Sequence, residues 1–309
     1  MDYNQLQPND PRLHWGHTQL NILTDLWQQR TVVGKGVRVG VLDSGFIPDH
    51  PDLKIFPKSQ KDFTNGAAGF GSSRSHGCYC SGVIAAAGTE VFGVAPETTI
   101  AYGRVKLNSR SIAEGIEWLL TVRPAIHAIS ISLEIFEENE NPADFQAMKD
   151  AIAKAEEKGK VVVAALGNDF ARDEEMIPRY PAAFDTVLAV GAMKANGDLH
   201  EESGMHHCVD LVAPGHEILT TEQGGGTFSS FQRTSAAAAF AAGCVALVLQ
   251  VVRDNELDLS PAQIRTLLRE TATYSFSQGQ KCQSNLFGCG LINPVGAVEK
   301  LLLTGGNPA

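Results

Sequence analysis

The sequence lacks the features that usually divide a chain into separate domains. No Pro-, Ser- or Gly-rich linker, charge block or internal repeat interrupts its 309 residues. A chain of this length can form one large domain or two smaller ones. Its hydrophobic content of 43% is ample for a single core. We therefore predict one domain over residues 1–309, with an N-terminal arm at residues 1–35 and a short tail at residues 304–309.

A leader segment is also missing from the start of the sequence. Met1 to Gln5 are polar and acidic, without the basic and apolar regions of a secretory signal. No prodomain is visible ahead of the motifs described below. This start favours a cytoplasmic protein, while a secreted mature domain from which upstream parts were removed remains the alternative.

Positive charge is scarce as well. The chain has 25 Lys and Arg against 35 Asp and Glu, a net charge of −10. Such a balance disfavours nucleic acid and anionic membrane surfaces as partners. The longest apolar run, residues 236–252, contains Gln250 and reads as a core helix, not a membrane span. We expect neither a nucleic acid nor a membrane partner, and the sequence leaves the oligomeric state open.

The six cysteines leave two uses open, disulfides and buried thiols. Cys282 and Cys289 could bridge a short loop, while Cys244 lies in an apolar run and behaves as a small hydrophobe. Cys78 and Cys80 resemble half of a zinc site, but no second pair or His cluster accompanies them. We therefore expect no zinc.

Strand-like and helix-like segments alternate along the chain. The pattern predicts strands at 37–42, 100–105, 128–132, 161–165, 186–191 and 209–213, and helices at 76–87, 111–121, 143–158, 235–252, 261–270 and 294–302. Such alternation is typical of an α/β fold with three layers, in which helices flank both faces of a mainly parallel sheet.

Ser235 stands at the start of a helix made largely of small residues. The run from Phe231 to Gly243 places Thr234 and Ser235 directly before a series of alanines. The start of a helix offers unpaired N–H groups and positive partial charge, which favour a developing anion. Serine is also an ordinary helix cap. The motif alone therefore leaves a structural and a nucleophilic interpretation open.

Three other motifs favour the nucleophilic interpretation. Asp43 follows a buried-type strand, His76 opens a second small-residue helix, and Asn168 follows Gly167 at the end of another strand. In open α/β sheets functional residues gather at the carboxyl ends of the strands. Each motif alone has a structural explanation, but the four together, in the order Asp, His, Asn, Ser, indicate a catalytic site.

With these motifs the chain resembles the subtilisin-like serine proteases, the subtilase family. The order Asp, His, Ser is the subtilisin order. The resemblance covers nearly the whole chain, and its supporting segments are residues 9–11, 34–37, 50–53, 93–96, 129–133, 180–184, 190–192, 209–215 and 288–293.

The resemblance implies a serine endopeptidase that acts through an acyl-enzyme. Ser235 would attack the scissile carbonyl, and His76 would take its proton and later deliver it to the leaving amine. Asp43 would orient the imidazole, and Asn168 would donate to the oxyanion. Two alternatives on the same scaffold are a transpeptidase or macrocyclase, in which an amine resolves the acyl-enzyme, and a catalytically silent binding module.

The resemblance also implies where a protein or peptide substrate binds. The substrate-binding residues would be Ser132, Leu133, Glu134, Leu166, Gly167 and Asp169. Carboxylates cluster near them, at Glu134, Glu137, Glu138, Glu140, Asp144, Asp169, Asp173, Glu174 and Glu175. Their field would favour Arg or Lys near the cut, and the alternative is that they are ordinary solvated loop residues.

Three residues deserve comparison with the family pattern. Arg233 replaces a Gly beside the nucleophile, which is costly if the position needs a positive φ. Asp52 matches a calcium ligand, but the loop at 88–92 is cut down and offers too few oxygens for the usual six to eight, so no cofactor is expected to be required, and a calcium ion bound at Asp52 remains the alternative. Cys80 matches a free thiol beside the catalytic His in the proteinase K-like branch, which implies inhibition by mercurials.

Overall fold

The structure is a computed structural model, and it describes residues 1–45, 50–64, 76–168, 177–273 and 284–305. Its strands are β1 (Arg38–Asp43), β2 (Ile55–Asp62), β3 (Thr99–Arg104), β4 (Ala128–Ile131), β5 (Val161–Ala165), β6 (Val187–Met193), β7 (Leu211–Pro214), β8 (Ile218–Glu222) and β9 (Gly226–Phe231). Its α-helices are α1 (Trp15–Gln19), α2 (His76–Ala85), α3 (Ser109–Leu119), α4 (Pro142–Glu157), α5 (Arg233–Asp254), α6 (Pro261–Thr271) and α7 (Pro294–Thr304).

A parallel sheet forms the centre of the molecule. Within the described residues it has seven strands in the order β2-β3-β1-β4-β5-β6-β7, and every pair is parallel. β1 and β4 therefore lie side by side near the middle, with their carboxyl ends at one edge. All six predicted strands are confirmed within two residues, and so are the six predicted helices.

Helices cover both faces of the sheet, which confirms the predicted three layers. One buried cluster joins Val39 and Val41 of β1 to α2 and α5, and a second joins Leu42 to α3 and α4. Alternate residues of one strand thus point into the two cores. Helix α5 is long and apolar enough to cross a membrane, but its apolar window is entirely buried inside the protein. This confirms that it is a core helix.

The N-terminal residues contain three short helical segments. A 3₁₀ turn (Tyr3–Gln5), α1 and a π-helix (Ile22–Gln28) pack onto the core, where Trp27 is buried and donates to the Val94 carbonyl at 3.1 Å. The side-chain oxygen of Gln250, in α5, accepts from the N–H groups of residues 33, 34 and 35 at 2.8, 2.8 and 3.1 Å. The polar residue in the apolar run therefore ties this segment to α5.

Strands β2, β8 and β9 were not predicted. β2 is mostly polar and lies at the sheet edge, so it lacks the apolar run of a buried strand. β8 and β9 form an antiparallel hairpin whose turn contains Gly224 and Gly225, each with φ of 93°. The hairpin supports α2, because the hydroxyls of Thr220 and Thr221 donate to the carbonyls of Tyr79 and Cys78.

Candidate active site

The carboxyl ends of the central strands and the first turns of α2 and α5 meet around one pocket. Its volume is about 200 Å³, and its lining residues are Ser44, His76, Leu107, Ser132, Leu133, Glu134, Ala165, Asn168 and Ser235. Three of the four residues with predicted chemical roles thus face one cavity. Asp43, the fourth, lies directly behind His76.

Asp43 and His76 form a close pair. Asp43 ends β1 and is fully buried, and each of its carboxylate oxygens lies 2.9 Å from Nδ1 of His76. Its Oδ1 also accepts from the N–H of Gly45 at 3.3 Å. Burial by itself lowers the pKa of His76, but the interactions with Asp43 and with Cys80 together more than offset this, so that the pKa lies well above its usual value of 6.5. The pair can therefore stabilise an imidazolium.

Small residues let α2 approach the sheet closely enough to place His76 there. A Cβ on Gly77 would lie 2.0 Å from the hydroxyl oxygen of Tyr102, in β3. That hydroxyl in turn donates to the carbonyl of Gly45, just after Asp43. The first turn of α2 and the end of β1 are thus held together by one buried tyrosine, and a larger residue at position 77 would separate them.

Ser235 lies in the first turn of α5, buried at the floor of the pocket. Its Oγ donates to the carbonyl of Ser132 at 3.5 Å, and the hydroxyl of Ser132 donates to the carbonyl of Ser235 at 3.1 Å. The hydroxyl is thus weakly held by the end of β4, and a rotation about one bond redirects it. Contacts of nucleophiles are often long before substrate binds.

Thr234 fixes the side chain of Asn168. The Oδ1 of Asn168 accepts from the N–H of Thr234 at 3.0 Å and from its hydroxyl at 2.8 Å. Because both donors occupy the oxygen, the amide NH₂ is the group of Asn168 that is left to donate elsewhere, and Asn168 lines the pocket beside Ser235. Sequence analysis assigned no role to Thr234, although its place directly before the serine was the available signal.

Arg233 has a positive φ of 73°. A residue with a Cβ is strained in this conformation, which glycine adopts freely, so Arg costs free energy at this position. Its N–H donates to the Gly215 carbonyl at 2.7 Å, so the conformation is fixed by the backbone. Its guanidinium forms two 3.0 Å contacts with the carboxylate of Glu202. Glu202 was not predicted to lie near the site, since it is distant in sequence.

Three of the six predicted substrate-binding residues line the pocket. Ser132, Leu133 and Glu134 line it, and Leu166 and Gly167 precede Asn168. Asp169, like Asp173, Glu174 and Glu175, lies outside the described residues.

Two carboxylates of the predicted acidic cluster have partners in the fold. The carboxylate of Glu134 lies 3.8 Å from the Nε of Arg179, a buried side chain whose guanidinium stacks on Phe136 at 3.7 Å. Glu140 accepts from the N–H of Ser109 at 2.7 Å and from its hydroxyl, at the start of α3. The charge available to a substrate is therefore smaller than the sequence suggests.

Asp52 does not fit a calcium site. It is fully buried, and its carboxylate accepts from three consecutive N–H groups, those of Thr89, Glu90 at 2.7 Å and Val91 at 3.0 Å. Calcium needs oxygen ligands, whereas the groups that face this carboxylate are N–H donors. The negative charge thus serves to order the shortened loop.

Cys80, Asp43 and His76 form one compact cluster. The Sγ of Cys80 lies 3.8 Å from Nδ1 of His76, and the thiol is buried. Burial raises the pKa of this thiol, so it is protonated at neutral pH. Within the described ranges, Asp43, His76 and Cys80 are the one group of three His, Cys or carboxylate side chains that converges closely.

The remaining cysteines fall into two classes. Cys78, Cys208 and Cys244 are free thiols, and Cys244 is buried in α5 as expected. Cys289 is disulfide-bonded, while Cys282, its suggested partner, lies outside the described residues.

Comparisons with known proteins show which family the chain resembles over most of its length. The family model described as "Subtilase family" matches residues 34–290. Subtilisin DY of Bacillus licheniformis is 32% identical over 286 residues, which cover 90% of this chain and 96% of that protein. An intracellular serine protease of Paenibacillus polymyxa is 33% identical over 252 residues, covering 77% and 74%. The crystal structure of MycP1 without its N-terminal propeptide has a TM-score of 0.73 at 26% identity, covering 92% of this chain and 97% of that one.

Proposed function

Because the chain belongs to the subtilase family and is a subtilisin-like serine protease, we propose that Asp43, His76 and Ser235 are its catalytic triad. The observation that carries this proposal is the pair of 2.9 Å contacts between His76 Nδ1 and the buried Asp43 carboxylate, beside the pocket that contains Ser235. The substrate is a protein or peptide, as the family implies.

The proton path follows from which nitrogen of His76 is occupied. Nδ1 donates to Asp43, so Nε2 is left to accept the proton of the Ser235 hydroxyl during attack on the scissile carbonyl. The resulting imidazolium faces the Asp43 carboxylate and then protonates the leaving amine. Water, activated by the same nitrogen, hydrolyses the acyl-enzyme. The hydroxyl must first leave the Ser132 carbonyl, and the 3.5 Å contact makes this inexpensive.

The oxyanion hole is formed in this proposal by the NH₂ of Asn168 and the N–H of Ser235. Thr234 occupies the oxygen of Asn168, which leaves its NH₂ to donate to the tetrahedral intermediate. The start of α5 adds its positive partial charge at the same point. Replacing Asn168 with Leu should therefore lower kcat by about 10²- to 10³-fold while substrate binding changes little.

Labelling with a fluorophosphonate probe tests the nucleophile directly. We expect the probe to modify Ser235, identified by peptide mapping, and expect no labelling of the Ser235→Ala variant. A folded wild-type chain that remains unlabelled at alkaline pH and does not cleave peptides would contradict the proposal. That result would favour the binding module instead.

We also propose a preference for Arg or Lys near the cut. Glu134 lines the pocket but is matched by Arg179, so the field would come mainly from Glu137 and Glu138, which are exposed on a 3₁₀ turn after β4. A peptide library should show the preference, and the double Glu137→Gln, Glu138→Gln variant should weaken it. A profile without basic preference at every subsite would contradict it. The surface residue Glu157 provides the control substitution.

A cytoplasmic location is the last part of the proposal. Its support is the likeness to the relative named as an intracellular serine protease. Fractionation of the source cells with an antibody against this chain should place it in the soluble cell extract, whereas recovery from the medium would favour the secreted alternative.

A further inference from the structure

Three segments meet around Asn168, which lines the pocket. They are the loop at residues 167–168, the turn at residues 202–204 and the first turn of α5. The N–H of Gly204 donates to the Gly167 carbonyl at 2.7 Å, and Thr234 donates twice to Asn168. The Arg233–Glu202 ion pair joins the first turn of α5 to the turn at residues 202–204.

The turn at residues 202–204 is a rigid support. The hydroxyl of the fully buried Ser203 accepts from the N–H of Ala192, in β6, at 3.0 Å. A Cβ on Gly204 would lie 2.9 Å from the Gly167 carbonyl oxygen, so the two backbones are in direct contact. A group attached to this turn is therefore attached to the sheet and to the loop that precedes Asn168.

Arg233 attaches the first turn of α5 to this support. Its two parallel contacts with Glu202 use the planar fork of the guanidinium, a geometry that a single point charge cannot reproduce. The arginine retains this contact although its φ of 73° suits glycine better. Backbone strain beside a catalytic residue is a reason to look for a role of the side chain.

We propose that the Arg233–Glu202 ion pair is a positioning device for the oxyanion hole. It fixes Thr234 relative to the loop at 167–168, and so keeps the oxygen of Asn168 occupied and its NH₂ aimed at the oxyanion. The inference rests on the proposed function of Asn168. Because the pair acts on a group that contacts the transition state, its loss should lower kcat and leave KM nearly unchanged.

The test is steady-state hydrolysis of a peptide amide by Glu202→Gln, with Glu201→Gln as the matched control. Glu201 lies on the same turn, but its carboxylate pairs with Lys194 at 2.5 Å and does not reach α5. We expect kcat to fall about fivefold in Glu202→Gln, the scale of a half-exposed ion pair, with KM changed by less than about twofold. Glu201→Gln should leave both constants unchanged.

Two further variants separate positioning from stability. Arg233→Gly removes the ion pair and the backbone strain together, so its Tm should not fall although its kcat does. Arg233→Lys should restore only part of kcat, because an ammonium makes one contact where the guanidinium makes two. The double variant Glu202→Gln, Arg233→Gly should be no slower than either single variant.

The outcomes are distinct. An unchanged kcat in Glu202→Gln, a rise of KM at constant kcat, or a higher kcat in Arg233→Gly would overturn the positioning role, provided that the wild type is labelled at Ser235 and active. A wild type that is neither labelled nor active would overturn both this inference and the proposed function.

Discussion

Replacing Asp52 with Asn should destabilise the protein, and calcium should not matter. The buried carboxylate receives three backbone N–H groups, with the N–H groups of Glu90 and Val91 on one oxygen and that of Thr89 on the other. Asn has one oxygen, so it can keep the pair from Glu90 and Val91 at most. Its NH₂ then faces the N–H of Thr89.

The expected cost follows from these contacts. One charge-assisted hydrogen bond is lost, worth about 1.5–3 kcal/mol, and the NH₂ of the introduced Asn is a donor without an acceptor at a fully buried position, at about 1–3 kcal/mol. Since the loop at residues 88–91 can shift, we take about 3 kcal/mol as the loss in the free energy of unfolding. For a chain of this size that lowers Tm by roughly 6 °C. The exposed Asp150, replaced in the same way, should change stability by less than about 0.5 kcal/mol.

Thermal and urea unfolding, each with and without a calcium chelator, measure both parts of this prediction. The wild type should have the same Tm in calcium and in chelator. If the chelator lowers the Tm of the wild type but not that of Asp52→Asn, then Asp52 is a calcium ligand and the reasoning from its N–H donors is refuted. A variant as stable as the wild type would refute the estimated strength of the contacts.

Three other predictions concern titratable and thiol groups. Mercurials should inhibit the enzyme through Cys80, whose Sγ lies 3.8 Å from Nδ1 of His76. The Cys80→Ser variant should resist this inhibition. Full activity of protein that mass spectrometry shows to be mercurated at Cys80 would contradict the prediction. In the proposed mechanism the neutral ring of His76 is the base, and the pKa of this ring is raised well above 6.5, so kcat/KM should rise with pH through a midpoint above 6.5. A midpoint at or below that value would contradict this prediction. Burial lowers the pKa of His17 from 6.5 to about 4, so its protonation favours unfolding, and stability should be lost as pH falls through this window. Over the same pH window, the free energy of unfolding of His17→Gln, measured by urea titration, should fall by about 3 kcal/mol less than that of the wild type. An equal fall in both proteins would contradict the assignment to His17.

The apolar strands and the long helices were predictable because burial requires a local pattern of apolar residues that the sequence shows. Val161–Ala165 is an uninterrupted apolar run and forms a strand of the expected length. Ser260 and Pro261 mark the start of α6, where Ser260 indeed accepts from the N–H of Gln263. The polar edge strand β2 and the β8–β9 hairpin lack such a pattern, because their positions depend on the elements against which they pack.

The members of the proposed site could be named from the sequence, but the contacts between them could not. Asp43, His76, Asn168 and Ser235 each end, begin or lie close to a recognisable element, so their types and order were enough to propose them. The contacts that orient these residues join distant parts of the chain. The ion pair between Arg233 and Glu202 is one such contact. Nothing in the local sequence around either residue predicts that the two side chains meet.

Asp52 illustrates the limit of carrying over a family position. The sequence identified the residue and also recognised that the loop after α2 was too short for calcium. It did not reveal that the shortened loop brings three N–H groups to the carboxylate. The same side chain can order a loop by accepting hydrogen bonds or by holding a cation, and only the backbone geometry distinguishes the two.

Through Gln250, helix α5 connects the N-terminal segment to the region around Ser235. Helix α5 begins beside Ser235, and four turns later the amide oxygen of Gln250 receives three N–H groups from residues 33–35. Loss of the Gln250 side chain would leave the buried N–H groups of residues 33 and 34 without an acceptor. The segment that leads into β1, which ends at Asp43, is therefore coupled through one amide to the helix that carries Ser235.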